Sequence, residues 1–389
     1  MSKQNVKNFV LPHSEAKLEM YHGYLEKYLN ILVAFQGFNQ INLFDVFCGS
    51  GIYDDGKAGS PILAFKAIMQ NREWCKTHGK SPTTINLSIN DVEKVKVENI
   101  KAYLEFQPKP TNCNILYENL AAQEYLAKVQ RQVELQSKTS RSLIFIDPYG
   151  YKDIKADLLD ALLNNERTEV ILFLPVSFIY RFAGVAQGDE KISQYEHLRE
   201  FISSFFPHDH PIRRNEVRSP IEFIDNLKEA LAFKEKYHSA SYFIQRDKGN
   251  YFALFFMTSN LLGLEKFLKT KWELDPVKGL GYKMPNKRGP GLFDTQFEVE
   301  DRDERIQSFA NELEKYMIEK VRSDKEIYEF TLYKGFLPEH LTSIFKQWQN
   351  QDKLETWISH NNTLARKGSF NINYNSTKPA GSKFVFKIK

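Results

Sequence analysis

Apolar positions along the first half of the chain alternate between two spacings. In "SEAKLEMYHGYLEKYLNILVAF" (14–35), Leu18, Tyr21, Leu25, Tyr28, Leu29 and Leu32 recur at helical intervals, predicting a helix with Ser14 as its N-cap. Short continuous apolar runs then alternate with amphipathic stretches. The runs are "INLFDVF", "TINLSIND" (84–91), "CNILYEN" (113–119), "RSLIFIDPYG" (141–150) and "TEVILFLPV" (168–176), each predicting a buried strand. Between them, "GSPILAFKAIMQ", "VEKVKVENIKAYLEF", "AAQEYLAKVQRQVELQ" and "KADLLDALLN" predict helices, the first with Ser60 as N-cap and Pro61 at its first position. This alternation implies a doubly wound parallel sheet, which binds ligands at the carboxyl ends of its strands.

The pattern changes after residue 176. Residues 177–239 are helical and irregular, with "HLREFISSFF" and "IEFIDNLKEALAF" as helices, and are long enough to form an insertion shaping a substrate site. "SASYFIQRDKGNYFALFFMTSN" predicts a hairpin turning at "DKGN", the antiparallel ending that a methyltransferase-type sheet requires. A polar, Gly-rich run near 276–300 marks a linker. Beyond it come the helix "DERIQSFANELEKYMIEKV", a second helix entered through Pro338, and a hairpin over 368–389. The expectation is therefore an α/β Rossmann-like methyltransferase sheet over 1–300 and a small winged-helix-like α+β domain over 301–389.

Charge sharpens this division. The net charge is +4, yet residues 331–389 hold nine Lys or Arg against three Asp or Glu, so the rest is slightly acidic. Basic character confined to one segment points to an anionic partner there, with a solvated basic tail as the alternative. Lys346, Arg366, Lys367, Lys378 and Lys383 are the candidate nucleic-acid contacts. Cys48, Cys75 and Cys113 lack metal-site or disulfide spacing. The N-terminus has no hydrophobic signal core, and the longest apolar run is too short to span a bilayer, so a cytoplasmic protein without membrane association is expected.

Candidate chemistry begins at "LFDVFCGSGIY" (43–53). Gly49 and Gly51 follow Asp45 and Phe47 at a strand end, where glycine lets backbone amides approach a ligand. A nicotinamide fingerprint needs a third glycine where Asp54 stands, and a phosphate-binding loop needs a following Gly-Lys-Ser/Thr that is absent. What remains is the S-adenosylmethionine turn D-x-F-x-G-x-G, formed here by Asp45, Phe47, Cys48, Gly49, Ser50 and Gly51; a purely structural turn is the alternative. Asp91, ending the second strand, is placed to take ribose hydroxyls or to cap the next helix. Asn119 is a candidate acceptor for an adenine amine.

"IDPYGY" (146–151) ends the fourth strand and resembles the D-P-P-Y motif of enzymes that methylate exocyclic amines. There the Asp and the next backbone carbonyl accept from the amine, and the aromatic ring stacks on a flipped base. Asp147, Pro148 and Tyr149 are the catalytic candidates; the second proline is missing, and a simple Asp-Pro turn is the alternative. "PHDHP" (207–211) lacks a third ligand, so no metal is expected. A nuclease built on Asp54, Asp55 and Asp91 lacks a matching lysine pattern.

Taken together, "SEAKLEMYHGYLEKYL", "LFDVFCGSGIYDDGKAGSPILAF", "FIDPYGY", "LFLPVSFIYRF" and "GFLPEHL" resemble the three-Cys-motif partner protein family, TcmP, over nearly the whole chain except 177–239. That resemblance implies a methyltransferase-like domain followed by a winged-helix-like one. By position it puts Lys17, Asp45, Gly49 and Gly51 around the cofactor and Asp147 at the reacting end. Where the family often has FAGPG, this chain has Cys48 and Ser50 for Ala and Pro. Two functions follow: an S-adenosylmethionine-dependent methyltransferase acting on an amine of a nucleic-acid base, or a non-catalytic cofactor-binding adaptor working with a radical-type three-Cys-motif protein.

Overall fold

The computed structural model describes residues 10–187, 195–247, 249–283, 294–379 and 381–389. The chain forms two compact units: Met1–Asn260 with Gly281–Met284, and Leu261–Leu280 with Pro285–Lys389. The division falls earlier than the expected boundary at 300, because residues 261–280 join the second unit.

The first unit is built on an eight-stranded sheet. Five strands are parallel: β1 (Gln40–Asp45), β2 (Thr84–Asn90), β3 (Cys113–Glu118), β4 (Ser140–Ile146) and β5 (Thr168–Leu174). Then β6 (His238–Asp247) and β7 (Asn250–Thr258) form the expected hairpin, with β7 antiparallel to β5, and β8 (Gly281–Lys283) adds at the edge. The spatial order is β3-β2-β1-β4-β5-β7-β6-β8. With β7 inserted antiparallel beside β5, this is a Rossmann-like methyltransferase sheet. The order reverses between β1 and β4, so their carboxyl ends open the crevice where such sheets bind ligands.

Helices α1 (Pro12–Phe35), α2 (Ser60–Thr77), α3 (Lys94–Glu105), α4 (Ala122–Leu135) and α5 (Ala156–Leu163) match the predicted set. Their caps differ. Helix α1 begins at Pro12, whose fixed φ suits a first turn, so its N-cap is Leu11 rather than Ser14. Likewise Gly59, not Ser60, caps α2, leaving the Ser60 side chain for another use. The stretch after β5 supplies α6 (Val176–Gln187), α7 (Glu196–Phe205) and α8 (Pro220–Ala230), the last capped by the Ser219 side chain.

The second unit contains α9 (Leu261–Leu274), a helix with no counterpart in the sequence reading. It belongs there because its Trp272 Nε1 donates to the Gly335 carbonyl at 2.9 Å and its Glu265 accepts from the Tyr328 hydroxyl at 2.7 Å. There follow α10 (Asp294–Ile318), β9 (Arg322–Ser323), α11 (Asp324–Tyr333), α12 (Pro338–Asn350), β10 (Leu354–Ile358), β11 (Thr363–Leu364) and β12 (Phe384–Ile388). Ser323 and Glu326 form a reciprocal capping box at α11. The hairpin expected over 368–389 is absent. Instead β12 lies between β10 and β9 in a four-stranded sheet, and "NYNST" is tightened into a 3-10 turn by the Asn373 side chain. Asn side chains offer the backbone local hydrogen bonds that compete with strand pairing. Part of the expected linker, 284–293, lies outside the described residues.

Candidate functional site at the carboxyl edge of the sheet

Strand β1 ends because the backbone turns through two left-handed glycines. Gly49 has φ +59° and Gly51 φ +74°, and a Cβ on Gly51 would lie 2.4 Å from Ile100 Cγ1. Only glycine fits position 51 on both grounds. The turn is held from three sides: Cys48 N–H donates to the Asn90 carbonyl, Gly49 N–H to Asp91 Oδ2 at 3.1 Å, and Gly59 N–H to the Gly51 carbonyl. The turn does not run straight into α2. Residues 52–58 make a small hairpin bridged at Ile52 and Ala58, after which Gly59 and Ser60 return to the crevice.

Two cavities open at this edge. The smaller, about 370 Å³, brings Lys17, the Phe47–Gly51 turn, Ser60, Asp147, Pro148 and Tyr149 onto one wall system. The larger, about 910 Å³, is lined by Asn90, Asp91, Val92, Ala121, Gln123 and the loop 149–153, among others. Phe47, Tyr149 and Pro175 border both, so the two are adjoining compartments of one crevice, in the size range of small-molecule sites.

Within it the candidates divide by role. Lys17 Nζ meets Asp147 Oδ2 at 2.5 Å and lies 4.6 Å from the centre of the Phe173 ring. Asp91 is almost fully buried; besides Gly49 it accepts from Glu93 N–H at 2.9 Å, and Lys96 Nζ lies 3.9 Å away. It thus serves at once as the brace of the glycine turn and as the first tie of α3. Tyr149 is 83% exposed at the rim, with Lys96 Nζ donating to its hydroxyl at 3.0 Å. Burial pushes the Cys48 thiol far up, which leaves it an inert wall residue.

Asn119 does not line either cavity. Its amide donates to the Asp91 and Val92 carbonyls at 2.8 and 2.9 Å, fastening the end of β2. Gln123 and Asp153, which do line the larger cavity, stand 3.3 Å apart and offer acceptors where Asn119 was expected to. Sequence reasoning also passed over Val92, exposed immediately after a buried acid, and Pro175, which stops β5 at the crevice; each is legible as an apolar or rigid residue one step past a strand end.

Asp45 lies behind the wall and is fully buried; no donor meets either of its oxygens in close geometry, although the Ser60 hydroxyl lies near enough to favour its charged form. Burial pushes its carboxyl up to about 7; the Ser60 hydroxyl and Lys17 oppose this, and the negative charges of Asp147 and Asp91 reinforce it.

Other sequence candidates separate. Asp54 and Asp55 are exposed in the 52–58 hairpin and line neither cavity, whereas Asp91 lines the larger one. In 207–211, His210 Nδ1 accepts from Ile212 N–H and its ring packs on Phe206. Among the described residues no group of three His, Cys, Asp or Glu is placed to hold a metal ion, and no helix is long and apolar enough to cross a membrane. In the second unit Lys346 projects from α12, and Arg366, Lys367, Lys378 and Lys383 are exposed between β11 and β12.

No protein-family model and no curated protein matches the chain. Among solved structures it is similar to Trm1 from Pyrococcus horikoshii in complex with S-adenosyl-L-methionine (14% identity, 79% of this chain and 75% of that one, TM-score 0.35). It is also similar to the O-methyltransferase TomG from Streptomyces achromogenes in complex with the same compound (16% identity, 60% and 79%, TM-score 0.30). The Rossmann-like class of the sheet stands on its strand order and on the antiparallel placement of β7 beside β5.

Proposed function

We propose that the chain is an S-adenosylmethionine-dependent methyltransferase acting on an amine, in particular an exocyclic amine of a nucleic-acid base. The observation that carries this reading is that the glycine turn and the Asp147–Pro148–Tyr149 box, nearly a hundred residues apart in sequence, face one small cavity. The Ser50 and Gly51 amides and Lys17 would hold the amino-acid end of the cofactor, Asp91 the ribose, and Val92, Ala121 and Gln123 the adenine. The bound cofactor supplies an activated methyl group.

The chain's own work is positioning. Asp147 is engaged by Lys17 through Oδ2, which leaves Oδ1 to accept from the substrate amine together with the Pro148 carbonyl. Those two acceptors would turn the nitrogen lone pair toward the glycine turn, and the exposed Tyr149 ring would stack on the base. Lys17 holds the Asp147 carboxylate in one orientation and offsets its charge. Asp147→Ala is expected to lower methyl transfer by at least about 100-fold while cofactor affinity changes only a few-fold. Transfer of tritiated methyl groups to DNA, RNA and protein, alongside calorimetry, measures both; surviving transfer would remove Asp147 from the role.

A specific observation favours a second reading. Because Lys17 already occupies Asp147 and the second proline is missing, the crevice would suit a module that binds the cofactor without transferring its methyl group, acting as partner to a three-Cys-motif protein of the TcmP system. Binding without transfer to any acceptor would select it.

For the second unit we propose a winged-helix-like nucleic-acid contact. Support comes from the order β9, α11, α12, β10, β12 and from the exposed face of α12, which offers Ser343, Lys346, Gln347 and Asn350. Duplex binding should weaken steeply with salt, and Lys346→Ala should reduce the logarithmic salt slope by about 1. A salt-independent interaction would point to a protein partner instead.

A further inference from the structure

Asp45 carries a feature that positioning of the cofactor does not require. A buried polar group is ordinarily paired, and a buried carboxylate without a partner is costly. The groups around it are Lys17 and Tyr21 on α1, Cys48 in the glycine turn, Ser60 at the start of α2, Asp91 after β2, Tyr125 on α4 and Asp147 after β4. Of the three carboxylates in this set, Asp147 has Lys17 in contact and Asp91 has Lys96 close by. Asp45 has no contacting cation, and its neighbours Lys17, Ser60 and Asp147 all line the smaller cavity. A carboxyl group lacking a contacting cation therefore lies behind the wall that carries Asp147, the end of the compartment where the proposed cofactor's sulfur would sit.

Resting on the cofactor reading above, we infer that Asp45 distinguishes the sulfonium cofactor from its thioether product by supplying the charge that only the sulfonium matches. The two ligands share their ammonium and carboxylate groups and differ at sulfur by one positive charge. When the cation binds, the Asp45 O–H bond breaks, its electron pair stays on the carboxylate, and the proton passes to solvent. Once the methyl group has left, sulfur is neutral, Asp45 takes a proton back, and the product is held less tightly. Burial, which keeps the free site protonated near neutral pH, makes that exchange possible in the physiological range.

The test is calorimetry on the full chain at about pH 6.5, in phosphate and in imidazole buffers, with S-adenosylmethionine and S-adenosylhomocysteine as probes. The buffer dependence of the heat counts protons exchanged. A fraction of a proton released with the first ligand and none with the second is expected. Asp45→Asn should weaken S-adenosylmethionine by about tenfold or more, leave S-adenosylhomocysteine within about twofold, and erase the proton release. Equal proton counts for the two ligands, or equal weakening by the substitution, would overturn the inference while leaving the cofactor reading intact. If neither ligand binds, the cofactor reading fails and the inference with it. The buffer comparison uses the unaltered protein, so it does not depend on the variant folding.

Discussion

Two carboxylates buried in the same sheet have opposite surroundings. Glu169, near the amino end of β5, accepts from the Tyr24 hydroxyl at 2.5 Å and from Thr258 Oγ1 at 2.8 Å. Asp45, at the carboxyl end of β1, has no donor in close geometry, with only the Ser60 hydroxyl nearby to favour its charged form. Burial pushes both up to about 7, so the shift alone does not tell them apart. What differs is satisfaction. A carboxylate with donors on both oxygens is a structural tie between α1, β5 and β7, whereas one left without close donors beside a crevice keeps its capacity for a ligand.

Truncation should break the comparison most visibly. Glu169→Ala removes the acceptor that the Tyr24 and Thr258 hydroxyls donate to and opens a cavity, so chemical denaturation should register a loss of about 2–4 kcal/mol. Asp45→Asn removes a buried charge that has no contacting cation, and stability near pH 8 should stay level or rise. An equal loss in both variants would mean that Asp45 has structural partners after all.

Acidity gives a smaller, graded effect. In the unfolded chain both carboxyls ionise near pH ~4, whereas the folded protein retains their protons until about 7. The native state thus binds more protons across that window, and unfolding free energy must fall as pH rises. Their contribution is complete below pH ~4 and is lost as pH passes through the folded values. Calorimetric melting temperatures between about pH 5 and 8 should decline less steeply in Asp45→Asn than in the parent chain. Parallel curves would mean that Asp45 ionises alike in both states.

The smallest effect separates the ties themselves. Tyr24→Phe removes one of the two donors to Glu169, and the expected loss is about 1–2 kcal/mol by the same denaturation measurement. A larger loss would make Tyr24, rather than Glu169, the centre of that tie.

Much of this was legible from residue order. The five parallel strands and their helices emerged from alternating periods, because a strand buried on both faces must be continuously apolar while its covering helix need be apolar on only one. The β6–β7 hairpin followed from "DKGN", since a turn of that composition joins neighbouring antiparallel strands. Asp45, Asp91 and Asp147 stood out because each is an acid at the end of an apolar run. The caps differ from expectation at Ser14 and Ser60: Pro12 opens α1 two residues before Ser14, and Ser60 is itself the first residue of α2 behind Gly59. Helix α9 and the pairing of β12 with β10 escaped notice because both depend on partners far along the chain.

The sequence by itself determined the succession of elements and the chemistry stationed at strand ends, since local periodicity and turn residues act over a few positions. Tertiary structure alone decided which of those acids are neutralised. Pairing Lys17 with Asp147 spans 130 positions and joining Gly49 to Asp91 spans 42, distances over which no local pattern specifies a contact. Asp45 was left without a contacting cation by the same process, because the one cation that α1 brings near it, Lys17, is taken by Asp147, and Tyr21, Ser60 and Tyr125 around it carry no positive charge.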